Sequence, residues 1–416
     1  MIDYPNKLDI IFEKLSLFNI KPIIIGGYIR DKLLKLDSKD IDIELYGIDS
    51  LQSLENILNE FGSLSSVGKS FGVCKLKYEE LDIDFSLPRS DNKVGSGHRG
   101  FEVATNKNLD FKTATSRRDF TINAIGYDAQ SKTLLDPFYG RDDLQAKILR
   151  AVDIKKFDED PLRVLRGVQF STRFNLEFDP ELFIKCKNMI KAGALCELPP
   201  ERIFEEFKKM LLKSKKPSDG FLLLKKLGAF CFFDELAALS NVLFEKSIRS
   251  LDFLASEKIE DDKKRLSLML ALACKEFSQE KIDSFLNKLT QETKLRNEIK
   301  KLVSLSKDIA INDCSNYDVY ALAKEIEIKT FLLYLDAAYL GQKQKELQLC
   351  KAKAKSLNVY TEAMPPLLQG KDLISLGHQP SKEFSKILDA VYKAQMRELF
   401  STKEEAITWA AKNLLV

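Results

Sequence analysis

Apolar and polar positions change rhythm along this chain of 416 residues. Up to about residue 140, short runs alternate or stay apolar and break at Gly, Asn or Asp: "KPIIIGG", "DIDIELYG", "FGVCKLKY", "LDIDFSLP" and "LLDPFYG". Short β-rich runs bounded by turn formers predict strands. Helical spacing precedes Ile23, follows Ile29 and recurs around "LQSLENILNEFG". From about Leu144 the apolar positions recur three and four apart, as in "PLRVLRGVQFSTRF", "PPERIFEEFKKMLL", "KIDSFLNKLTQETKLRNEIKKLVSL" and "SKEFSKILDAVYKAQMREL". That period predicts helices, and strands practically vanish. The architecture expected is a mixed α/β head followed by a long all-helical body, an α+β arrangement. "GALCELPP" and "KSKKPSDG" read as joints.

Composition narrows the setting. Hydrophobic residues make up 44% and charged residues 31%, as in an ordinary soluble protein able to bury a large core. A formal charge of +3 means that any nucleic-acid surface must be a local patch. The seven cysteines are scattered without a close pair, which argues for reduced thiols in a cytoplasmic protein and against a disulfide framework or a cysteine zinc site. His98 and His378 are the only histidines, so chemistry that needs several imidazoles is excluded. No apolar run approaches the ~18 residues of a membrane span, so no membrane partner is expected.

Several motifs carry candidate chemistry. "IIIGGYIRDKLL" reads as a buried strand, a glycine turn and a helix start. Gly26 and Gly27 let backbone N–H groups approach a phosphate, the helix N-terminus adds partial positive charge, and Arg30 lies one turn further on. The spacing matches neither GxGxxG nor a P-loop, and a plain strand–turn–helix corner fits the same residues. In "KDIDIELYG" the strand period puts Asp40, Asp42 and Glu44 on one face. Carboxylates two residues apart stand ~7 Å apart at Cα and converge on a hard cation, although a solvated strand shows the same alternation. "LDIDFSLPR" offers Asp82 and Asp84 on one face. Asp84 is the candidate to complete a metal site or to deprotonate an attacking hydroxyl.

Two further stretches follow. In "SRRDFTINAIGYD", Arg117 and Arg118 suit phosphate or ribose contacts. The bland alternative is a helix start with Asp119 as cap and Asn123 bonded to backbone. In "DEDPLRVLRGVQFSTRF", Pro161 suits the first helical position with Asp160 as N-cap, and Arg163, Arg166, Gln169 and Arg173 share a helical stripe. That stripe reads as a basic face toward solvent or RNA. Alternatively, an acceptor carboxylate beside a guanidinium imitates a base edge. Lys208, Lys209 and Lys213, with Lys215 and Lys216, form a basic cluster suited to RNA phosphates or simply to water.

"GGYIRDKLL…KDIDIELYG", "RRDFTINAIGYD", "DPFYGRDDLQAKILRAV" and "EDPLRVLRGVQFSTRF", in that order, resemble the bacterial tRNA nucleotidyltransferase/poly(A) polymerase family, which includes the class II CCA-adding enzymes. The likeness spans residues 20–210 and, through "PLLQGKDLISLGHQPSKEF" onward, residues 365–410. It implies a polymerase-β-type nucleotidyltransferase head over 1–140, a helical neck with a nucleobase-selecting motif over 141–215, a body over 216–310 and a tRNA-binding tail over 311–416. It further implies that Gly26, Gly27 and Arg30 hold a triphosphate and that Asp40 and Asp42 bind Mg²⁺. Arg118 would contact ribose or phosphate, with Asn123 nearby in the nucleotide-binding set. Asp160 and Arg163 would select cytosine or adenine, with Glu159 orienting them and Arg166 touching phosphates. The partners implied are a tRNA 3′ end, CTP and ATP. Addition of CCA is the leading activity. A-adding, CC-adding or poly(A) polymerase activity, or a non-catalytic RNA-binding protein on the same fold, are the alternatives. Gln169 stands where relatives often carry arginine, leaving a phosphate contact weakened or supplied by Arg173. The two histidines cannot supply the HD phosphohydrolase domain some relatives carry. Residues 89–105 occupy the place of a flexible loop that helps switch from CTP to ATP.

Overall fold

The computed structural model of the chain describes residues 2–38, 40–65, 73–93, 101–308, 315–376, 379 and 382–414. His98, His378 and the centre of the 89–105 segment lie outside them. The chain divides into two compact units, Met1–Ala238 with Lys288–Thr290, and Leu239–Asn287 with Gln291–Val416. The first unit thus runs past the joint expected near residue 215.

The first unit opens with α1 (Leu8–Leu17), whose Leu8, Ile11, Phe12 and Leu15 turn inward at helical spacing. There follow β1 (Lys21–Ile25), α2 (Gly27–Leu33), β2 (Asp40–Tyr46), α3 (Leu51–Leu58), β3 (Ser63–Ser65), β4 (Val73–Tyr78) and β5 (Leu81–Ser86). A separate hairpin of β6 (Arg89–Lys93) and β7 (Phe101–Thr105) leads to α4 (Phe111–Thr115), β8 (Gly126–Asp128) and β9 (Thr133–Leu135). Seven strands form one mixed sheet in the order β3-β4-β5-β2-β1-β8-β9. Within this sheet, among the described residues, only the β2–β5 pair is parallel. "LLDPFYG" is a strand only at its start. The Asp136 carboxylate accepts from the backbone N–H groups of Gly140 and Arg141 at 2.7 and 2.9 Å, which turns the chain into the next helix. Gly140 is required there, since a Cβ would meet the Thr121 carbonyl oxygen at 2.2 Å.

Helices then take over: α5 (Gly140–Ala146), β10 (Ile148–Leu149), α6 (Leu162–Phe174), β11 (Glu177–Phe178), α7 (Pro180–Lys191), α8 (Pro200–Lys213), α9 (Pro217–Leu227) and α10 (Asp234–Ala237). The short β10–β11 parallel pair was not anticipated. α6 packs on α8 and α9, burying Val164, Leu165 and Val168 along one stripe.

The second unit contains α11 (Asn241–Ser256), α12 (Asp262–Cys274), α13 (Gln279–Asn287), α14 (Thr293–Asp308), α15 (Asn316–Glu325), α16 (Ile328–Ala338), α17 (Gln344–Ser356), α18 (Gly370–Ser375), α19 (Lys382–Met396) and α20 (Lys403–Asn413). From Leu266 to Cys274 α12 is buried on every side, and it packs on α11, α14 and α16. Trp409 packs on Phe400 in a separate core near the end of the chain. Among the described residues, no helix is long and apolar enough to cross a membrane, and the six cysteines are free.

Candidate active site

The parallel pairing of β2 with β5 sets Asp40 opposite Asp82 and Asp42 opposite Asp84. Ile41, Ile43 and Leu45 are buried on the other face, so the acids have one side to themselves. Asp40 is exposed and Asp42 half-buried. Burial holds the Asp42 carboxyl above its ordinary value; the Arg118 guanidinium opposes this, while the charges of Asp84 and Asp40 reinforce it. Asp84 accepts a hydrogen bond from Lys75 at 2.9 Å. Among the described residues, no three acids, cysteines or histidines close around a single point. Two crowded carboxylates fit a hard dication that takes its remaining ligands from water and phosphate oxygens.

The glycine turn lies at the end of the neighbouring strand. Gly26 has φ +70°, and its N–H donates to the Ile125 carbonyl at 3.0 Å. A Cβ at this position would stand 2.7 Å from Nη1 of Arg118, so glycine is what lets the guanidinium lie against the turn. Burial, and then the neighbouring Arg117 cation, pull Arg118 below its ordinary value.

Arg30 takes a different position from the one expected. It is buried, donates to Asp31 at 2.8 and 2.6 Å and to Asn123 Oδ1 at 2.6 Å, and faces the Phe170 and Phe174 rings at 5.1 and 4.6 Å. It therefore braces the turn from behind. The side chain of Asn123 is used, among the described residues, to join Arg30 to Asp119, donating to the latter at 2.9 Å.

Asp119 is the hub of a second cluster. It accepts from Nε of Arg166 at 2.6 Å and from the Phe120 N–H at 2.8 Å. Against the opposing effect of burial, Arg166 and Asn123 hold its carboxyl below the ordinary value. Arg166 also approaches Glu206 at 3.8 Å, and Glu206 pairs with Lys209 at 2.8 Å. α6 begins at Leu162 with Pro161, not Asp160, as its N-cap and with no side-chain cap; Asp160 lies one residue further out, where its carboxylate accepts from the Leu162 N–H at 3.1 Å. The other bonds of Asp160 come from Arg202, which holds both carboxylate oxygens at 3.2 and 3.0 Å. Arg163 donates to the carbonyls of Lys156 at 2.8 Å and Arg117 at 2.9 Å. Glu159, expected to orient this pair, hydrogen-bonds to neither. Arg173 reaches Asp31 at 3.4 Å, and the side chain of Gln169 is buried.

Arg202 escaped the sequence reading because nothing in "PPERIFEEF" marks it apart from the other charges of α8. Of the three lysines proposed for RNA, Lys208 pairs with Glu205 at 3.7 Å, Lys209 with Glu206, and Lys213 is exposed at the end of α8.

Comparison with known proteins adds independent weight. The family described as "Poly A polymerase head domain" matches residues 23–150. "Probable RNA and SrmB- binding site of polymerase A" matches residues 175–239, and domain 2 of tRNA nucleotidyltransferases matches residues 260–411. The chain is 38% identical over 223 residues to a CCA-adding enzyme of Blochmanniella pennsylvanica, covering 53% of this chain and 52% of that one. It is 36% identical over 220 residues to a multifunctional CCA protein of Nitrosococcus oceani, covering 53% and 52%. The aligned region thus spans about half the length of these curated relatives. The fold is that of the Bacillus stearothermophilus CCA-adding enzyme solved in complex with CTP, with a TM-score of 0.75 at 20% identity, covering 99% of this chain and 98% of that one. The Thermotoga maritima CCA-adding enzyme complexed with tRNA matches with a TM-score of 0.64 at 21% identity, covering 99% and 97%.

Proposed function

We propose that this chain, whose successive segments match the poly(A) polymerase head, the RNA-binding and the tRNA nucleotidyltransferase domain 2 models, belongs to the tRNA nucleotidyltransferase/poly(A) polymerase family and adds C, C and A to the 3′ end of tRNA without a nucleic-acid template. The observation that carries the reading is the acid face of β2, in register with β5 and beside a glycine turn covered by Arg118. The 3′ hydroxyl of the RNA attacks the α-phosphorus of CTP or ATP, the bond to the bridging oxygen breaks, and pyrophosphate leaves. Asp40 and Asp42 would hold a divalent ion, proposed as Mg²⁺, which when bound would lower the pKa of the hydroxyl and neutralise charge on the leaving group. Asp84 is the third carboxylate, positioned to accept the hydroxyl proton once Lys75 yields. Gly26, Gly27 and Arg118 receive the triphosphate and ribose, with Arg30 and Asn123 supporting them from behind. Asp160 and Arg163 present an acceptor and a donor to the base, steadied by Arg202 and by two backbone carbonyls.

The proposed division is a catalytic head to residue 140, a neck to 215, a body to 310 and a tail beyond. Exposed Lys213 leads the proposed RNA phosphate contacts in the first unit, and Lys208 and Lys209 join it where RNA phosphates outcompete Glu205 and Glu206. The scattered free thiols support the proposed cytoplasmic setting.

The test uses tRNA transcripts ending before the CCA, after its second C, and after its A. Each is offered CTP alone, ATP alone, or both. Growth of the first by three nucleotides with both substrates, and no growth of the last, is the expected result. Extension by A only, by CC only or by an A tract would assign one of the narrower or longer-tailed activities. No labelling of any RNA would leave a binding protein.

A further inference from the structure

Glu44 is the third acid on the face that carries Asp40 and Asp42, and nothing in the chemistry above uses it. It is fully buried, with 0% exposure, between Ile23 of β1 and Ser86 of β5. Oε2 accepts from the Tyr46 hydroxyl at 2.6 Å. Oε1 makes no hydrogen bond and faces Nη2 of Arg117 at 3.6 Å. A carboxylate taken wholly out of water with one oxygen left open to a cation is costly unless the cation is its purpose. Arg117 and Arg118 are adjacent like charges, and the second lies against Gly26. Without an internal anion, two neighbouring guanidinium groups would repel each other, and the other carboxylates acting on Arg118 are Asp42 and Asp119.

We propose that Glu44 is a positioning residue: a buried counter-anion that sets the Arg117–Arg118 pair against the glycine turn and thereby governs how tightly a nucleoside triphosphate is held. This rests on the nucleotide-adding reading of the same site. Asp42 stays on the open part of the strand for a cation, while Glu44, two residues deeper, serves the arginines. Tyr46 fixes the carboxylate by occupying its other oxygen.

Glu44→Gln keeps the volume and the acceptor for Tyr46 but removes the charge. Its KM for CTP and for ATP should rise about tenfold with kcat changed less than about threefold, the pattern of lost uniform binding. Glu44→Asp, which restores the charge at shorter reach, should fall between it and the wild type. Tyr46→Phe should move KM in the same direction by a smaller factor. Melting of each variant with and without CTP gives a second readout that needs no turnover, and the CTP-induced shift should shrink in Glu44→Gln. An unchanged KM and an unchanged CTP-induced shift would overturn the inference. So would a collapse of kcat at constant KM, which would make Glu44 part of the metal-binding set. Should Glu44→Gln fail to fold, Tyr46→Phe and Glu44→Asp still decide the matter through the same KM. A wild-type protein that adds no nucleotide would instead sink the functional reading, while a CTP-induced melting shift lost in Glu44→Gln would leave the role of Glu44 standing.

Discussion

The two halves of the site treat charge in opposite ways. On the β2–β5 strands, Asp40, Asp42 and Asp84 crowd one another, and among the described residues Lys75 is the basic side chain bonded to them, on Asp84. Around α6, Asp119, Arg166, Glu206 and Lys209 form a chain of ion pairs, and Asp160 is held by Arg202. In the proposed reading, the strand half is left open for an incoming cation and triphosphate to complete. The helical half is largely paired already, which in the same reading lets it hold a fixed donor–acceptor pattern toward a base. Unpaired charge serves reactivity; paired charge serves shape.

That contrast can be broken first at its reactive end. Asp42→Ala should lower nucleotide incorporation by about a thousandfold or more at saturating substrate, with the melting temperature at or above that of the wild type. A mutant retaining near-normal turnover would remove Asp42 from the chemistry. In the helical half the ranking of effects inverts. Asp119→Asn leaves Arg166 beside a neutral amide in a mostly buried cluster and should destabilise the protein by about 3 kcal/mol, read by denaturant unfolding. A loss below about 1 kcal/mol would mean that the cluster is more solvated than its burial indicates.

A finer probe is Arg202→Ala. It should blur the choice between CTP and ATP by about tenfold while leaving the dependence on divalent ion unchanged, since it frees Asp160 without touching β2. Competition assays with both nucleotides measure this directly. The smallest effect is in pH. Asp42 titrates above its ordinary value in the folded protein, so its contribution to stability is present at low pH and is lost as pH rises from that value through the raised one. Asp119 titrates below its ordinary value, so its contribution is present at neutral pH and is lost as pH falls through the depressed value. The melting advantage of Asp42→Asn over the wild type should therefore grow with rising pH across the acid range, and the deficit of Asp119→Asn should shrink as pH falls.

Much of this was legible in the chain itself because the relevant signals are local. Asp40 and Asp42 share a face wherever their stretch is a strand, and Gly26 marks a turn whatever surrounds it. The helix after Pro161 follows from neighbours in sequence, although Pro161 itself, not Asp160, stands at its N-cap. The second acid strand was readable too, but not its partner. Only the β2–β5 register brings Asp84 opposite Asp42. Arg30 looked like a phosphate ligand from its place one turn past the glycines, yet its guanidinium bonds to Asn123, 93 residues further along. Arg202 meets Asp160 across 42 residues. Glu44 had no evident task until burial and the approach of Arg117 supplied one.

The sequence by itself therefore determined which side chains share a face, which turns demand glycine and where helices begin, because backbone geometry repeats over two to four residues. Only the tertiary structure decided which charges are paired and which are left open. Charge pairing depends on distance in space and on exclusion of water, and neither is written in local order.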